Sequence, residues 1–311
     1  MNIYDEIRSL EYTDYDEHFW NAMRGNDACY NRMTRGLVSG SGTYALAPQT
    51  GKQYEKAIAA ESLFRQIGTV IHAYGSDYRL YTKDCDDLAQ WVPEGGQIPI
   101  YEGIQDFIQN KVDSHKLAVL VKMDEDFIHD NSFDFRTHLV GRLAENFGRA
   151  EDKAFVDGSG NAMPTGILAT DGGAEVGVST AALTYESVTQ LFLSVKPKYR
   201  KKGVWLMNDE TALVLRTLKD ADGNSIWNPL HDTVLGKPVH ICDWMPNIGA
   251  GTKPLAFGDF RYFWIVDRQP VSVRTLKEKF TLQDQVGYLG VEHLDAKLVR
   301  PDAVKVIEMT A

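Results

Sequence analysis

The amino-acid sequence predicts an α+β fold, and three observations support that class. One long amphipathic helix is predicted over about residues 131–157, where apolar side chains recur at helical spacing. Residues 269–311 alternate apolar and polar side chains as strands do. Hydrophobic residues make up 43% of the 311 residues, which is enough to bury a core in one large domain or two interleaved ones.

The predicted long helix carries a single apolar stripe. Apolar side chains recur every four residues along it, at Phe135, Leu139, Leu143 and Phe147. We expect Asn131 or Ser132 to cap its N-terminus, and Gly158 and Gly160 to end it through left-handed backbone. Some 25 residues at about 1.5 Å each would form a rod of roughly 37 Å. A rod of that length suits a mechanical element.

The chain before this helix divides into predicted segments. Residues 1–47 are polar, rich in aromatic side chains and weakly periodic, which is typical of an arm that gains order from neighbouring chains. Residues 48–73 begin with a helix that Gly68 closes, and a strand follows. Residues 111–165 contain another strand, which leads into the long helix.

Residues 74–110 are predicted to form an extended loop. Prolines and glycines between residues 93 and 99 rule out a regular helix. Trp91 and several isoleucines, however, are too apolar for a loop that is only exposed to solvent. An extended arm that lies on another subunit reconciles both facts. We therefore expect Trp91 and Glu94 to make intersubunit contacts, with local packing as the alternative for Trp91.

The chain from residue 166 to about 268 is predicted to be an α/β region. A helix comes first, a buried strand follows, and a second helix then begins with Asn208 as its expected N-cap. Three strand and turn units complete the region. Residues 269–311 supply the last strands.

Composition excludes several classes of function. The formal net charge of −10 argues against a protein that binds nucleic acid over a broad surface, because phosphate binding needs cationic faces. Three cysteines without a CxxC pair predict neither a disulfide framework nor a zinc site. No signal peptide is visible, and no apolar run is long enough to span a bilayer, so no membrane partner is expected.

Two groups of charged residues are candidate contact sites. Glu151 and Asp152 are adjacent on a helix and point about 100° apart, so they cannot flank one substrate as an acid/base pair would. We expect intersubunit contacts or helix-end electrostatics instead. Lys198 and Arg200 belong to a basic run that follows a helix. For these two, complementing the helix dipole is favoured over contact with an acidic neighbouring subunit, and nucleic-acid contact comes third.

No catalytic, cofactor or metal site is predicted. The eight histidines form no HExxH motif, and no serine stands in a GxSxG elbow. The DADGNSIWNPLH segment from Asp220 lacks the glycine and the final glutamate of a calcium loop, so a turn is the better interpretation. Cys85 lies among acidic residues, which would lower the nucleophilicity of its thiol.

Phrases in three parts of the sequence resemble a known family. FDFRTHLVGRLAENFGRAEDKAFVDGSGNAMPTGIL resembles the spine-helix segment of HK97-type tailed-bacteriophage major capsid proteins, in which a helix ending near EDxAFxxGxG leads into P.GI. AQWVPEGG resembles the E-loop of the same family. VWLMN, LRTLKDADGNSIW, GKPV, FGDF and VDR follow in the order and spacing of its axial, or A, domain. The resemblance covers about residues 45–309.

The resemblance implies an HK97-like capsid fold. Its parts would be an N-terminal arm (1–47), the start of the peripheral, or P, domain (48–73), an E-loop (74–110), a P region with the spine helix (111–165), an A domain (166–268) and a C-terminal return to the P domain (269–311). Hexamers and pentamers would form an icosahedral phage head that encloses double-stranded DNA non-specifically. Assembly would take place in the host cytoplasm with a portal. Since no fused scaffold segment is visible, the resemblance implies a separate scaffolding protein or a processed chain, and the former is favoured.

One departure from the family concerns covalent crosslinking. Some members join subunits through a lysine and an asparagine, but the matching positions here are Trp91 and Asp284, with Val291 at the acidic helper position. The resemblance therefore does not support a crosslink. Two alternative functions remain open: an encapsulin-like shell around a protein cargo, and, remotely, a soluble α/β enzyme whose site is dispersed.

Overall fold

The computed structural model describes residues 12–26, 28–29, 44–46, 48–74, 79–83, 91–94, 97, 107–130, 133–219 and 223–310. Within these ranges the helices are α1 (Tyr12–Met23), α2 (Pro48–Glu61), α3 (Leu63–Ile67), α4 (Glu125–His129), α5 (Phe135–Asp157), α6 (Tyr185–Ser194), α7 (Pro197–Arg200) and α8 (Asp209–Thr217). Short 3-10 helices span Phe260–Tyr262, Glu278–Gln283 and Pro301–Ala303.

The strands in the same ranges form two sheets and one ribbon. They are β1 (Tyr44–Ala45), β2 (Thr69–His72), β3 (Arg79–Lys83), β4 (Phe107–Lys111), β5 (His115–Asp124), β6 (Glu175–Thr180), β7 (Val204–Met207), β8 (Trp227–Asn228), β9 (Thr233–Val234), β10 (Lys237–Ile241), β11 (Leu255–Gly258), β12 (Phe263–Leu276), β13 (Gln285–Leu298) and β14 (Val304–Met309). The mixture of helices with separate sheets confirms the α+β class.

The first sheet is built on two long antiparallel strands. Strands β12 and β13 have 14 residues each, and their register runs from the Phe263 and Leu298 pair to the Leu276 and Gly287 pair. Strand β5 adds to the free side of β13, while β1 and the parallel β2 pair with β12. The register of β12 shifts between Asp267 and Ser272, which locally interrupts its pairing with β13.

Helix α5 lies along this sheet as the predicted rod. Its apolar stripe, which includes Phe135, Leu139, Leu143 and Phe147, is buried in a cluster with Tyr288 of β13. Gly290 allows the close approach, since a Cβ there would lie 2.8 Å from Leu143 Cδ2 and 3.3 Å from the Phe147 ring. The sequence pattern therefore identified the buried face of the helix correctly.

The ends of α5 differ from the sequence prediction. The helix begins at Phe135 and its N-cap is Asp134, whose side chain accepts a hydrogen bond from the Thr137 N–H. The expected caps Asn131 and Ser132 lie outside the described residues, and the prediction was wrong by two or three residues. At the other end, Gly158 is extended with φ of −61°, while Gly160 has the expected left-handed φ of 77°.

The second sheet has the strand order β6, β14, β11, β7, β10, β9 and β8. Helices α6 and α8 pack on one face, where they bury Trp205, Met207 and Phe257. Asn208 caps α8 as predicted, because its side-chain oxygen accepts from the Thr211 N–H at 2.8 Å.

Strand pairing differs from the division expected near residue 268. Strand β12 runs from Phe263 to Leu276 and belongs to the first sheet throughout, so one strand crosses the boundary expected at residue 268. The last strand, β14, lies inside the second sheet between β6 and β11, and the return of residues 269–311 to a P domain stays a prediction. The physical reason is burial, because Val304, Val306 and Ile307 are fully buried and need sheet neighbours on both sides.

The predicted extended loop starts from a two-stranded ribbon. Strands β3 and β4 pair from Arg79 with Lys111 to Lys83 with Phe107. Between them, the structure describes only residues 91–94 and 97. In all described ranges, no helix has both the length and the apolarity that crossing a membrane requires.

Candidate functional site

A cluster of buried charges lies where helix α3, helix α5 and the first sheet meet. Its centre is Arg65 on α3. The Arg65 guanidinium donates from Nε to Glu151 Oε2 and from Nη2 to Glu151 Oε1, both at 2.7 Å. This bidentate geometry is the strongest form of an arginine and carboxylate pair.

Two strands supply further carboxylates to the same guanidinium. Asp267 of β12 accepts from Nη1 at 3.2 Å and from Nη2 at 3.0 Å, and Glu292 of β13 accepts from Nη2 at 3.2 Å. The side chains of Arg65, Glu151, Asp267 and Glu292 are all less than 10% exposed. One cation therefore joins a short helix, the long helix and both long strands.

A tyrosine and a histidine side chain contact these carboxylates. The Tyr54 hydroxyl of α2 donates to Glu292 Oε2 at 3.1 Å. His72 of β2 places Nδ1 3.1 Å from Asp267 Oδ2, and this ring is partly exposed to solvent. We name the six residues Arg65, Glu151, Asp267, Glu292, Tyr54 and His72 the Arg65 cluster.

Three carboxylates share one buried guanidinium, and this imbalance sets their pKa values. Burial, together with the nearby Glu151 charge, raises the pKa of Glu292 well above its usual range. Burial also raises the pKa of Glu151, against the opposing effect of Arg65. For Asp267 burial is outweighed by Arg65 and His72, so its pKa is lowered. The hydrogen bond to Asp267 raises the pKa of His72.

Asp152, next to Glu151, has a different set of partners. Its carboxylate accepts from the Ser62 hydroxyl at 2.7 Å and from the backbone N–H groups of Leu63 and Phe64 at 2.8 and 3.1 Å. These donors form the N-terminus of α3, so Asp152 caps that helix from outside it. Burial raises the pKa of Asp152, and these hydrogen bonds oppose the shift.

The two adjacent carboxylates thus diverge as predicted, and the helix-end interpretation holds for Asp152. The alternative of intersubunit contact meets an obstacle in the structure. Glu151 is 1% exposed and Asp152 is 7% exposed, and both are satisfied by groups of their own chain. In this conformation neither carboxylate is presented to a neighbouring subunit.

The other predicted contact residues are not part of the Arg65 cluster. Trp91 has a relative exposure of 103%, as in an isolated extended peptide, and Glu94 is also exposed. Lys198 is exposed, with Nζ 4.9 Å from the centre of the Tyr199 ring. Intersubunit contact by Trp91, Glu94 and Lys198 stays a prediction.

Arg200 has a clear role within its own chain. Its guanidinium donates to the carbonyl oxygens of Leu193 and Val195, which close the C-terminus of α6, and it stacks over Phe192 at 5.2 Å. This confirms the favoured interpretation, in which a cation complements the end of a helix dipole. An additional intersubunit contact by Arg200 stays a prediction.

The described residues include no group of three His, Cys, Asp or Glu side chains arranged to hold a metal ion. Cys242 is buried, and burial raises the pKa of its thiol to about 11, which keeps it protonated at neutral pH. Cys85, Asp220 and Asp222 lie outside the described residues.

The sequence analysis missed Arg65, Asp267 and Glu292 as a group. Asp267 and Glu292 each interrupt an apolar strand, in FWIVDR and YLGVEHL. A charged residue within such a strand is a signal for a buried partner, since burying an unpaired charge is costly. The signal does not identify the partner, because Arg65 is 202 residues from Asp267 and 227 from Glu292.

The comparison with known proteins identifies the family. Residues 42–309 match the phage capsid family, which is most of the chain. The chain belongs to the phage capsid family. Among its capsid relatives, the probable major capsid protein gp17 of Mycobacterium phage D29 is 24% identical over 227 residues, covering 69% of this chain and 70% of the relative. The gp17 protein of Mycobacterium phage L5 is 23% identical over 235 residues, with 70% of both chains covered.

Solved capsid structures share the fold. The capsid of a native GTA particle has a TM-score of 0.62 and 26% identity, covering 80% of this chain and 90% of that one. A chain of Mycobacterium phage Adephagia has a TM-score of 0.57 and 18% identity, with the same shares covered, and this likeness shows the fold alone. The HK97-like capsid fold expected from the resemblance is confirmed. We use spine helix as a name for α5 and E-loop as a name for residues 74–110, and their roles in a shell stay predictions.

Proposed function

We propose that this capsid-family chain is the major shell subunit of a tailed phage or related particle. Hexamers and pentamers of the chain would close into an icosahedral head around double-stranded DNA. The observation that carries the proposal is the family match over residues 42–309, on a subunit that leaves large apolar side chains in solvent. Trp91, Leu282 and Leu230 are 103%, 101% and 81% exposed. Apolar groups of this size at the surface are suited to burial against neighbouring subunits.

The proposed mechanism is geometric. The Arg65 cluster fixes the spine helix to the long sheet, so each subunit enters the shell as a stiff unit. Contacts between subunits are then individually weak, and the closed lattice adds them together. No step of this mechanism needs a catalytic group or a cofactor, and we propose that the chain is not an enzyme.

The proposed partners follow from charge and size. A chain with a net charge of −10 would enclose DNA without binding it tightly, because an acidic inner surface would weakly repel the DNA phosphates. A portal and a separate scaffolding protein would direct assembly in the host cytoplasm.

Electron microscopy with light scattering tests the proposal on the purified chain, alone and after expression with its neighbouring genes. We expect closed angular particles, with DNA inside when the particles are made in the phage context. Particles that hold a protein cargo and no DNA would favour the encapsulin-like alternative. A homogeneous dimer or tetramer that assembles under neither condition would contradict the shell function.

A further inference from the structure

The buried part of the Arg65 cluster has an excess of negative charge. Its one cation, Arg65, contacts three carboxylates, and all four of these side chains are less than 10% exposed. Full ionisation would therefore place three negative charges against one positive charge away from solvent, which is costly. The titratable side chains around Glu292 are Tyr54 and Glu55 on α2, Arg65 on α3, His72 on β2, Tyr74 after β2, Glu151 on the spine helix and Asp267 on β12.

The hydrogen bonds of the cluster also lack one hydrogen. Nη2 of Arg65 carries two hydrogens. Three carboxylate oxygens lie within reach of it, namely Glu151 Oε1 at 2.7 Å, Asp267 Oδ1 at 3.0 Å and Glu292 Oε1 at 3.2 Å. Glu292 has the longest of these contacts, and its other oxygen accepts from the Tyr54 hydroxyl. A hydrogen on Glu292 itself would supply the bond that the guanidinium cannot.

Glu292 lies at an interruption in the long sheet. The register of β12 against β13 shifts between residues 269 and 272, so Glu292 stands opposite two β12 residues, Pro270 and Val271. Proline has no N–H to donate to the neighbouring strand. A cavity of about 30 Å³, which is large enough for one water molecule, is lined by Pro270, Val271, Tyr54 and Glu292 among others. Because backbone pairing is interrupted here, the side-chain contacts of the Arg65 cluster hold the strands together at this point.

We propose that the Arg65 cluster is a proton-binding site, that Glu292 carries the proton, and that the bound proton keeps residues 267–272 of β12 packed against β13. The proton comes from solvent and returns to it, and no other covalent bond changes. When Glu292 releases the proton, Glu151 and Asp267 repel its carboxylate, water enters the cavity and the interrupted segment of β12 opens. Rising pH thus loosens the long sheet at one defined point. The inference concerns the folded subunit and does not depend on the shell function.

The pKa values of the carboxylates agree with this assignment. Burial, reinforced by the Glu151 charge, raises the pKa of Glu292 well above its usual range, so the proton is retained where an ordinary glutamate has lost it. For Asp267 the attraction of Arg65 and His72 outweighs burial, and its pKa is lowered. His72 also titrates as pH rises, because its hydrogen bond to Asp267 raises its pKa. The experiment must therefore separate His72 from Glu292.

A bound metal ion is the other way to balance the charge. In the part of the chain that the structure describes, no three His, Cys, Asp or Glu side chains are arranged to hold a metal. The two oxygens of Glu292 already contact Arg65 and Tyr54, which are hydrogen-bond donors and not metal ligands. A proton needs no further ligand, so the geometry favours it.

Infrared spectroscopy of the full chain at pH 7 tests the bound proton directly and requires no variant. A protonated carboxylic acid has a carbonyl band that a carboxylate lacks, and the band shifts in deuterium oxide. We expect this band in the unaltered chain and its loss in Glu292→Gln. The control Glu186→Gln, at an exposed position on α6, should leave the band unchanged. Absence of the band from the unaltered chain, or its loss only in Glu151→Gln, would overturn the assignment.

Hydrogen exchange with mass spectrometry tests the coupling to the strand. After correction for the intrinsic effect of pH on amide exchange, peptides that cover residues 267–276 should exchange up to about ten-fold faster per pH unit, because the deprotonated fraction of Glu292 rises by that factor below its pKa. Glu292→Gln should abolish this dependence. His72→Gln, which removes the other titrating group, should preserve it, and peptides from α8 are the internal control. Equal pH dependence in the unaltered chain and Glu292→Gln, or exchange that responds to added magnesium and not to pH, would overturn the coupling.

Discussion

Arg65 and Glu151 form a buried bidentate ion pair, with both N–O distances at 2.7 Å, between residues 86 positions apart. The pair attaches helix α3 to the spine helix. The same guanidinium contacts Asp267 and Glu292, so the two longest strands are held at the same point. One cation therefore contacts the helix and both strands, in addition to the apolar packing between them.

Replacing Arg65 with methionine should destabilise the subunit by about 3–5 kcal/mol, because three buried carboxylates would lose their common partner. Urea unfolding of the dissociated subunit at pH 7 measures this. The matched control is Arg142→Ala, which removes an exposed ion pair to Glu145 and should cost less than about 1 kcal/mol. Equal losses in the two variants would contradict a central role for Arg65.

The pH dependence of stability should depend on Glu292. Its pKa is raised in the folded state by burial, so its contribution to stability is present below the ordinary value of 4.5 and is lost as pH rises towards the folded pKa. Glu292→Gln removes the titration while keeping the shape. Unfolding free energies measured from pH 4 upwards should therefore fall less steeply in this variant than in the unaltered chain.

The pH dependence of stability expected from Asp267 has the opposite sign, so this residue serves as a control. Its pKa is lowered when folded, so its contribution is present above 3.8 and is lost as pH falls through the folded pKa. Asp267→Asn should therefore flatten the acid side of the same profile. Identical profiles for the Glu292 and Asp267 variants would show that the assigned signs are incorrect.

Asp152→Ala should destabilise the subunit by about 1–3 kcal/mol, because the Ser62 hydroxyl and two backbone N–H groups of α3 lose their acceptor. Thermal unfolding of the dissociated subunit is the measurement. The control is Asp157→Ala, an exposed position at the end of the same spine helix, where we expect a change within about 0.5 kcal/mol. An Asp152→Ala variant that unfolds at the same temperature as the unaltered chain would mean that the cap on α3 does not contribute to stability.

Gly290→Ala should cost about 1–3 kcal/mol, since the added methyl group would meet Leu143 Cδ2 at 2.8 Å and push the spine helix from the sheet. Gly141→Ala is the matched control on the spine helix. Its Cβ meets nothing within 4 Å, so the better helix propensity of alanine should stabilise the subunit by up to about 1 kcal/mol. Chemical denaturation of both variants should give opposite signs, and the same sign in both would exclude the close-packing explanation.

The sequence by itself determined the elements whose signals are local. The spacing of Phe135, Leu139, Leu143 and Phe147 predicted both the spine helix and its buried face, because helical periodicity is set by neighbours one turn away. Asn208 was predicted as a cap for the same reason. Collinear phrases identified the capsid family before any fold was known.

Only the tertiary structure decided which charges meet and which strands pair. Glu151 looked like a surface carboxylate on a helix, yet it is buried against Arg65. Strand β14 follows β13 in the chain, yet it lies inside the second sheet. Both outcomes depend on sheet order and on contacts across 86 to 227 residues, which no local period encodes. Local physics therefore predicted the helices and strands, while burial and long-range pairing determined how they are joined.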